Sequence, residues 1–293
     1  MEFLSTVIAG ISLGSIYALI ALGYTMVYGI AKMLNFAHGD VIMVGAFMMF
    51  TALTKTSLPP IACIIIGTVI CTVLGMLIEK IAYKPLRSAT SLSVLITAIG
   101  VSYFLQNSAQ LIFGAGTKQF TPLFGNGSIS LFEGQVVISH NTIVTIAISV
   151  VLMIVLTLFI NKTKTGRAML AVSEDKGAAQ LMGINVNKTI SITFAIGSAL
   201  AAIAGALLCS SYPILSPTTG AMPGIKAFTA AVFGGIGSIP GAMIGGILLG
   251  LIENLSKVYI STQLSDAIVF GILIIILLVK PTGILGKKIS EKV

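Results

Sequence analysis

Few residues in this chain of 293 are equipped for chemistry. His38 and His140 are the only two histidines, and they lie far apart along the chain. No glycine-rich loop with a Walker lysine is present, so ATP has no such cradle here. Neither an H-E-x-x-H pair, nor paired catalytic carboxylates, nor a plausible serine triad can be assembled. Cys63, Cys71 and Cys209 all fall inside apolar runs, with no disulfide framework and no metal-ligand spacing, and read as small apolar contacts between helices. Ionisable residues inside the apolar runs are scarce as well, whereas proton- or sodium-coupled carriers need several near the midplane. Enzyme readings are weak, and the energy for any transport must enter from elsewhere.

Two stretches remain that polar chemistry or partner contact could use. The first is Asn35-Phe36-Ala37-His38-Gly39-Asp40, where polar groups interrupt the path between two apolar runs. It admits two readings: a broken helix lining a permeation path through Asn35, His38 and Asp40, or an interfacial turn in which Asp40 caps the next helix. The second is the long polar segment from Asn161 to Lys188. Its alanine, leucine and methionine content favours a short helix, which Gly183 and Asn185 would end. A compact helix with small residues on one side suits docking into a partner's groove, and the plainer alternative is a solvated loop.

The elements that hold these stretches can be read from composition. Residues of the AVILMFWYC set make up 56% of the chain and charged residues only 9%. A soluble domain carries about 25% charged residues, so 9% cannot coat a globule of this size. Lipid must be the solvent for most of the surface, which excludes a soluble enzyme, a nucleic-acid-binding domain and a disordered chain. The fold class expected is an all-α polytopic membrane bundle of about eight to nine spanning segments, some short or broken.

The runs are 3–31, 41–54, 56–78, 88–113, 141–160, 189–209, 225–255 and 264–279. The first is too long for a signal peptide's apolar region and reads as a retained helix. Within 225–255 the cluster Gly234-Gly235-Ile236-Gly237-Ser238-Ile239-Pro240-Gly241 interrupts the middle. Glycine and proline end helices, so two short helices, about 225–235 and 240–256, meet at a turn carried by Gly235, Gly237, Pro240 and Gly241. That gives nine crossings.

The net charge of +8 then reports orientation rather than nucleic acid. With the N-terminus outside and nine crossings, thirteen of the seventeen Lys and Arg fall on the cytoplasmic side, leaving Lys55, Lys118, Lys226 and Lys257 outside. Lys226 itself reads as a lysine that snorkels to the interface rather than one on a path. Gly10-x-x-x-Gly14, Gly241-x-x-x-Gly245 and Gly246-x-x-x-Gly250 put small residues on one helix face and read as close helix packing.

A resemblance joins these pieces. Ala178-Ala179-x-x-x-Gly183 is similar to the E-A-A-x-x-x-G loop by which ABC-importer permeases contact their ATPases, with Gly177 in place of the glutamate. Gly14-Ser15-Ile16-Tyr17-Ala18-Leu19, the 35–40 segment, the Ala230-to-Gly241 stretch and Lys280-Pro281-Thr282-Gly283 occur in the order found in LivH-type permeases of branched-chain amino acid ABC importers, over essentially the whole chain.

The resemblance implies a single permease domain over 1–293 in a bacterial inner membrane, with the C-terminus cytoplasmic. It makes 161–188 the coupling loop, through Glu174, Ala178, Ala179, Leu181 and Gly183, with Ala178, Ala179 and Gly183 as the docking face. It implies four partners besides the bilayer: a LivM-type permease, two cytoplasmic ATPases, and a periplasmic or lipid-anchored binding protein delivering leucine, isoleucine or valine. No cofactor is bound by this chain, and the partner ATPases use ATP and magnesium. A urea or amide importer permease is the alternative within the class. A stand-alone channel or secondary carrier is the alternative outside it.

Overall fold

A computed structural model describes residues 2–286 apart from 88, 126 and 132–135. Each apolar run carries at least one helix. Helix α1 (Glu2–Ala31) is followed by α2 (His38–Lys55), α3 (Pro60–Ile78), α4 (Ser91–Phe113) and α5 (His140–Lys162). Two short helices, α6 (Lys164–Glu174) and α7 (Lys176–Leu181), precede α8 (Val186–Ser211), α9 (Ala221–Gly234), α10 (Ile239–Tyr259) and α11 (Ser265–Val279). Six helices are long and apolar enough to cross a membrane: α1, α3 with its continuation to Leu86, α4, α5, α8 and α10. At 1.5 Å per residue, α9 and α11 reach only about 21–23 Å, short of a hydrocarbon core of about 30 Å. The bundle is therefore polytopic and all-α, with short and broken members as its glycine content implies.

Helix α1 is apolar all round and buried along most of its length, the pattern of a central helix. It packs against α5, α8, α9 and α10. The glycine stripes are what permit this. A methyl group at Gly14 would meet the backbone of Ile247 at 2.7 Å, and one at Gly10 would lie 3.1 Å from Leu251 Cα. The Gly10–Gly14 and Gly246–Gly250 pairs thus face each other across α1 and α10, and Gly245 packs on the backbone of α9 at Ala230 and Gly234. The small-residue motifs are internal packing, as the spacing suggests. Elsewhere α3, α4 and α5 turn apolar side chains such as Ile61, Phe104, Leu111 and Ile154 outward. In water such a surface would drive association, and in lipid it is at home.

The bundle has two distinct ends. At one, Phe3 approaches Tyr259 with ring centroids 6.5 Å apart. Strand β1 (Lys118–Gln119) pairs there with β4 (Ile214–Leu215), and β2 (Ser128–Leu131) pairs with β3 (Val136–Ser139) just before α5. Sequence patterning gives no hint of these short strands. At the other end Lys176 Nζ donates to Ala31 O at 2.9 Å, and Ile284 N donates to Phe233 O at 2.9 Å.

The break between α9 and α10 lies where the glycine–proline cluster places it. Gly235 and Gly237 hold φ of +108° and +91°, values that favour glycine. Ser238 caps α10, its Oγ accepting from Gly241 N, and Pro240 occupies the first turn, where a missing N–H costs nothing. Gly237→Leu has open space but the wrong φ. It is expected to lower thermal stability in detergent by about 1–2 kcal/mol and to reduce the yield of folded protein. An unchanged melting profile would argue for a continuous helix.

Candidate functional site

The polar stretch at 35–40 becomes a specific place. Helix α1 ends at Ala31, and Lys32 adopts φ +58°, unusual for a residue with a side chain, which turns the chain back. Residues 32–37 are not helical, and they carry the chain back into the bundle before α2 starts. The His38 ring lies against Gly23, so closely that a methyl group there would overlap it. Gly23 is about 12 Å above the end of α1, so α2 begins well inside the bundle. Its first residue is His38. The expectation that Asp40 caps α2 fails: Ala37 is the N-cap and no side chain caps it.

Asn35, His38 and Asp40 are all buried, and each is held differently. Tyr83 donates its O–H to Asn35 Oδ1 at 2.8 Å. Gln106 Nε2, from α4, donates to Asp40 Oδ1 at 2.8 Å. The His38 ring meets Tyr24 edge-on with centroids 4.7 Å apart, and its Nε2 has no hydrogen-bond partner among the described residues. Tyr24 and Phe36 both lie against Phe228 of α9.

A second interrupted helix meets the first here. Helix α9 starts at Ala221, and Gly220 just before it packs backbone to backbone on Gly39. A methyl on Gly39 would lie 2.6 Å from Gly220 O, and one on Gly224 would lie 2.8 Å from Gly39 Cα. The N-termini of α2 and α9 therefore abut inside the bundle, with Tyr24, His38 and Asp40 around the contact.

Tyr83 belongs to a π-helical turn, Glu79–Tyr83, that continues α3. The buried Glu79 accepts from Ser191 Oγ at 2.6 Å and from the Arg87 guanidinium, which also bonds Asn187. A wide turn of this kind is common at functional positions, and here it fixes the tyrosine that holds Asn35.

Sequence reasoning misses one cluster altogether. Lys226 does not snorkel: it is 6% exposed. Its Nζ lies 2.8 Å from Glu253 Oε1 and 2.7 Å from Asp266 Oδ1. Lys257 Nζ reaches the same Glu253 oxygen at 2.5 Å, and Tyr17 O–H donates to Glu253 Oε2 at 2.9 Å. Two cations and two carboxylates from α9, α10 and α11 thus form a neutral knot against α1. Its one local signal is the Glu253–Lys257 spacing of about one helical turn.

The 161–188 segment folds as two helices rather than one, because Asp175 ends α6 and caps α7, accepting from Ala178 N at 2.9 Å. Gly183, at φ +81°, closes α7 as expected, whereas Asn185 serves the next element as N-cap of α8. Lys176 anchors the pair to the end of α1 through Ala31 O. Burial, with Arg87 and Lys32 nearby, lowers its ammonium pKa below the usual lysine range. Glu174, Ala178 and Gly183 are exposed, and Leu181 and Met182 are 90% and 81% exposed. Ala179 is 4% exposed and packs into its own chain. The outward face is therefore Ala178, Leu181, Met182 and Gly183, not the set that includes Ala179. The turn at Gly235, Gly237, Pro240 and Gly241 lies at this same end, far along α9 from the junction at Gly39, and packs against residues 283–286.

The family model described as "Branched-chain amino acid transport system / permease component" matches residues 6–278. This chain belongs to that permease family. The permease is 46% identical to the high-affinity branched-chain amino acid transport system permease protein LivH of Escherichia coli K12, covering 100% of this chain and 98% of that protein. Against the corresponding permease BraD of Pseudomonas aeruginosa the identity is 44%, with the same coverage of both chains. Among solved structures, PsaBC from Streptococcus pneumoniae in complex with Fab is similar with a TM-score of 0.43 at 13% identity, over 98% of this chain and 91% of that chain.

Proposed function

We propose that this permease is the membrane-spanning subunit of an ATP-driven importer that carries leucine, isoleucine and valine into a bacterial cytoplasm by alternating access. The end-to-end identity to the LivH and BraD permeases is the observation that carries this reading. ATP and magnesium are used by two partner ATPases, a LivM-type permease completes the pore, and a periplasmic or lipid-anchored binding protein delivers the substrate. The N-terminus lies outside, and the end that bears α6, α7 and residues 283–286 faces the cytoplasm, which makes the C-terminus cytoplasmic. The charge bias along the sequence supports this orientation.

The two-helix projection is the coupling element. Leu181 and Met182 stand out from it as exposed apolar knobs, which an ATPase groove would cover. Leu181→Asp places a carboxylate in that contact and, at a cost of several kcal/mol, is expected to abolish ATPase co-purification and uptake while the permease still inserts. Retained co-purification would sink the assignment. Ala179→Asp tests folding of the loop rather than docking, because that side chain faces inward.

Asn35, His38 and Asp40 are proposed to border the translocation path, at the junction of α2 and α9. Discontinuous helices that meet inside a bundle are the usual place for transporter substrates. Uptake of radiolabelled leucine and urea into vesicles holding all subunits tests the whole reading. Leucine is taken up and urea is not; the reverse would reassign the substrate.

A further inference from the structure

The junction at Gly39 is closely packed, whereas an open cavity lies elsewhere. At the end of the bundle that carries the N-terminus, α1, the start of α5 and the end of α8 enclose about 340 Å³. Its mouth is bordered by the exposed Ala9, Ser139 and Tyr212, and its floor by the buried Leu13 and Ile16. That volume is in the range of small-molecule sites and exceeds that of any single aliphatic amino acid.

The walls differ in kind. Ala9, Leu13 and Ile16 of α1 supply an apolar wall. Opposite them, Ser139 caps α5 by accepting from Thr142 N at 3.1 Å, so the first turn of a 23-residue helix opens on the cavity. Such a turn presents N–H groups and the positive end of the helix dipole. Asn141 donates its amide to Ser210 O at 3.1 Å, which leaves Oδ1 as an acceptor. Asn141 and Ser211 both border the cavity, and that Oδ1 and the Ser211 hydroxyl lie buried just behind its wall with no hydrogen-bond partner among the described residues, within reach of the cavity by a side-chain rotation. Native structures seldom leave buried polar atoms unpaired, and a ligand is one reason they do. One and two turns below Asn141 on α5, the hydroxyls of Thr145 and Ser149 are buried and likewise have no partner among the described residues.

We infer that this cavity is a binding site for an aliphatic amino acid zwitterion on its way into the permease. The ammonium bonds to Asn141 Oδ1 and Ser211 Oγ, the carboxylate sits at the first turn of α5, and the branched side chain lies on Leu13 and Ile16. None of the described residues lining the cavity is charged. A substrate of zero net charge suits that lining, whereas a charged side chain such as glutamate's would go uncompensated. The inference rests on the proposed amino acid transport and adds where on this chain the substrate is first held.

The test uses the complete transporter in proteoliposomes, with the three native cysteines replaced by alanine. Ser211→Cys is labelled with a maleimide with and without millimolar leucine. Leucine is expected to slow labelling at least about threefold and glutamate not to, whereas labelling indifferent to leucine, or none at all, overturns the site. Independently, Asn141→Leu is expected to raise the KM for leucine uptake about tenfold, the scale of one lost hydrogen bond to a charged group, with kcat little changed. A loss of kcat alone, at constant KM, also overturns it. Leucine uptake by the unaltered complex separates the two levels: if that is absent, the transport reading itself has failed. If it is present, yet labelling of Ser211→Cys ignores leucine and Asn141→Leu keeps the KM of the unaltered complex, only the site has.

Discussion

Glu253→Leu is expected to destabilise the permease by about 3 kcal/mol or more, read as a large drop in the unfolding midpoint in detergent. The side chain is 1% exposed and receives Lys226, Lys257 and the Tyr17 hydroxyl. Removing it leaves Lys226, whose side chain is 8% exposed, with Asp266 alone, and leaves the tyrosine without its acceptor. Lys226→Met is expected to cost less, about 1–2 kcal/mol, because Glu253 keeps Lys257 and Tyr17. The double variant is the decisive one. Removing both charges replaces a costly buried pair with apolar packing, so it should be more stable than Glu253→Leu alone. A double variant as unstable as the two losses added together would show that the two residues act independently, contrary to the 2.8 Å contact.

Gly220→Ala is the second large effect. Here φ is ordinary, at −84°, so the obstacle is space rather than conformation. A methyl at Gly220 would overlap the Gly39 carbonyl, and what it meets is backbone, with no side chain able to swing away. The N-termini of α2 and α9 must separate, at a cost of about 1–3 kcal/mol or more. Gly39→Ala pushes the same two backbones apart, so the double variant should cost clearly less than the sum. Uptake is expected to fall by more than about tenfold while ATPase co-purification persists, since α6 and α7 lie at the bundle's end. Normal uptake by Gly220→Ala would remove the junction from the proposed path.

Much of this architecture is legible in the sequence because lipid imposes simple rules. A run of about 20 apolar residues can only be a helix at that depth, and the glycine–proline cluster at 234–241 can only interrupt one. The 161–188 segment is legible as helical, and Gly183 as the end of its second helix. Other features depend on neighbours that the chain supplies only after long intervals. Lys226 reads as a snorkelling lysine because its partners, Glu253 and Asp266, come from two later helices. Ala179 reads as part of an outward face because small size says nothing about direction, and the break at Asp175 rotates the helix after it. The start of α2 at His38, three residues before the apolar run begins, is set by Lys32 at positive φ and by Tyr83 reaching Asn35, neither of which leaves a mark on local hydropathy.

The central position of α1 has a consequence for how the protein is made. This helix leaves the ribosome well before α8, α9 and α10, which pack around it. Its facing glycines and serines, Gly10, Ser12, Gly14 and Ser15, are suited to another helix and poorly to lipid. Roughly 200 residues separate the end of α1 from the start of α10, which at about 5–20 residues per second is about 10–40 s of synthesis. For that interval the glycine face of α1 that α10 finally covers is open at the insertion machinery. Chains that stop short of α10 leave that face of α1 without its partner helix.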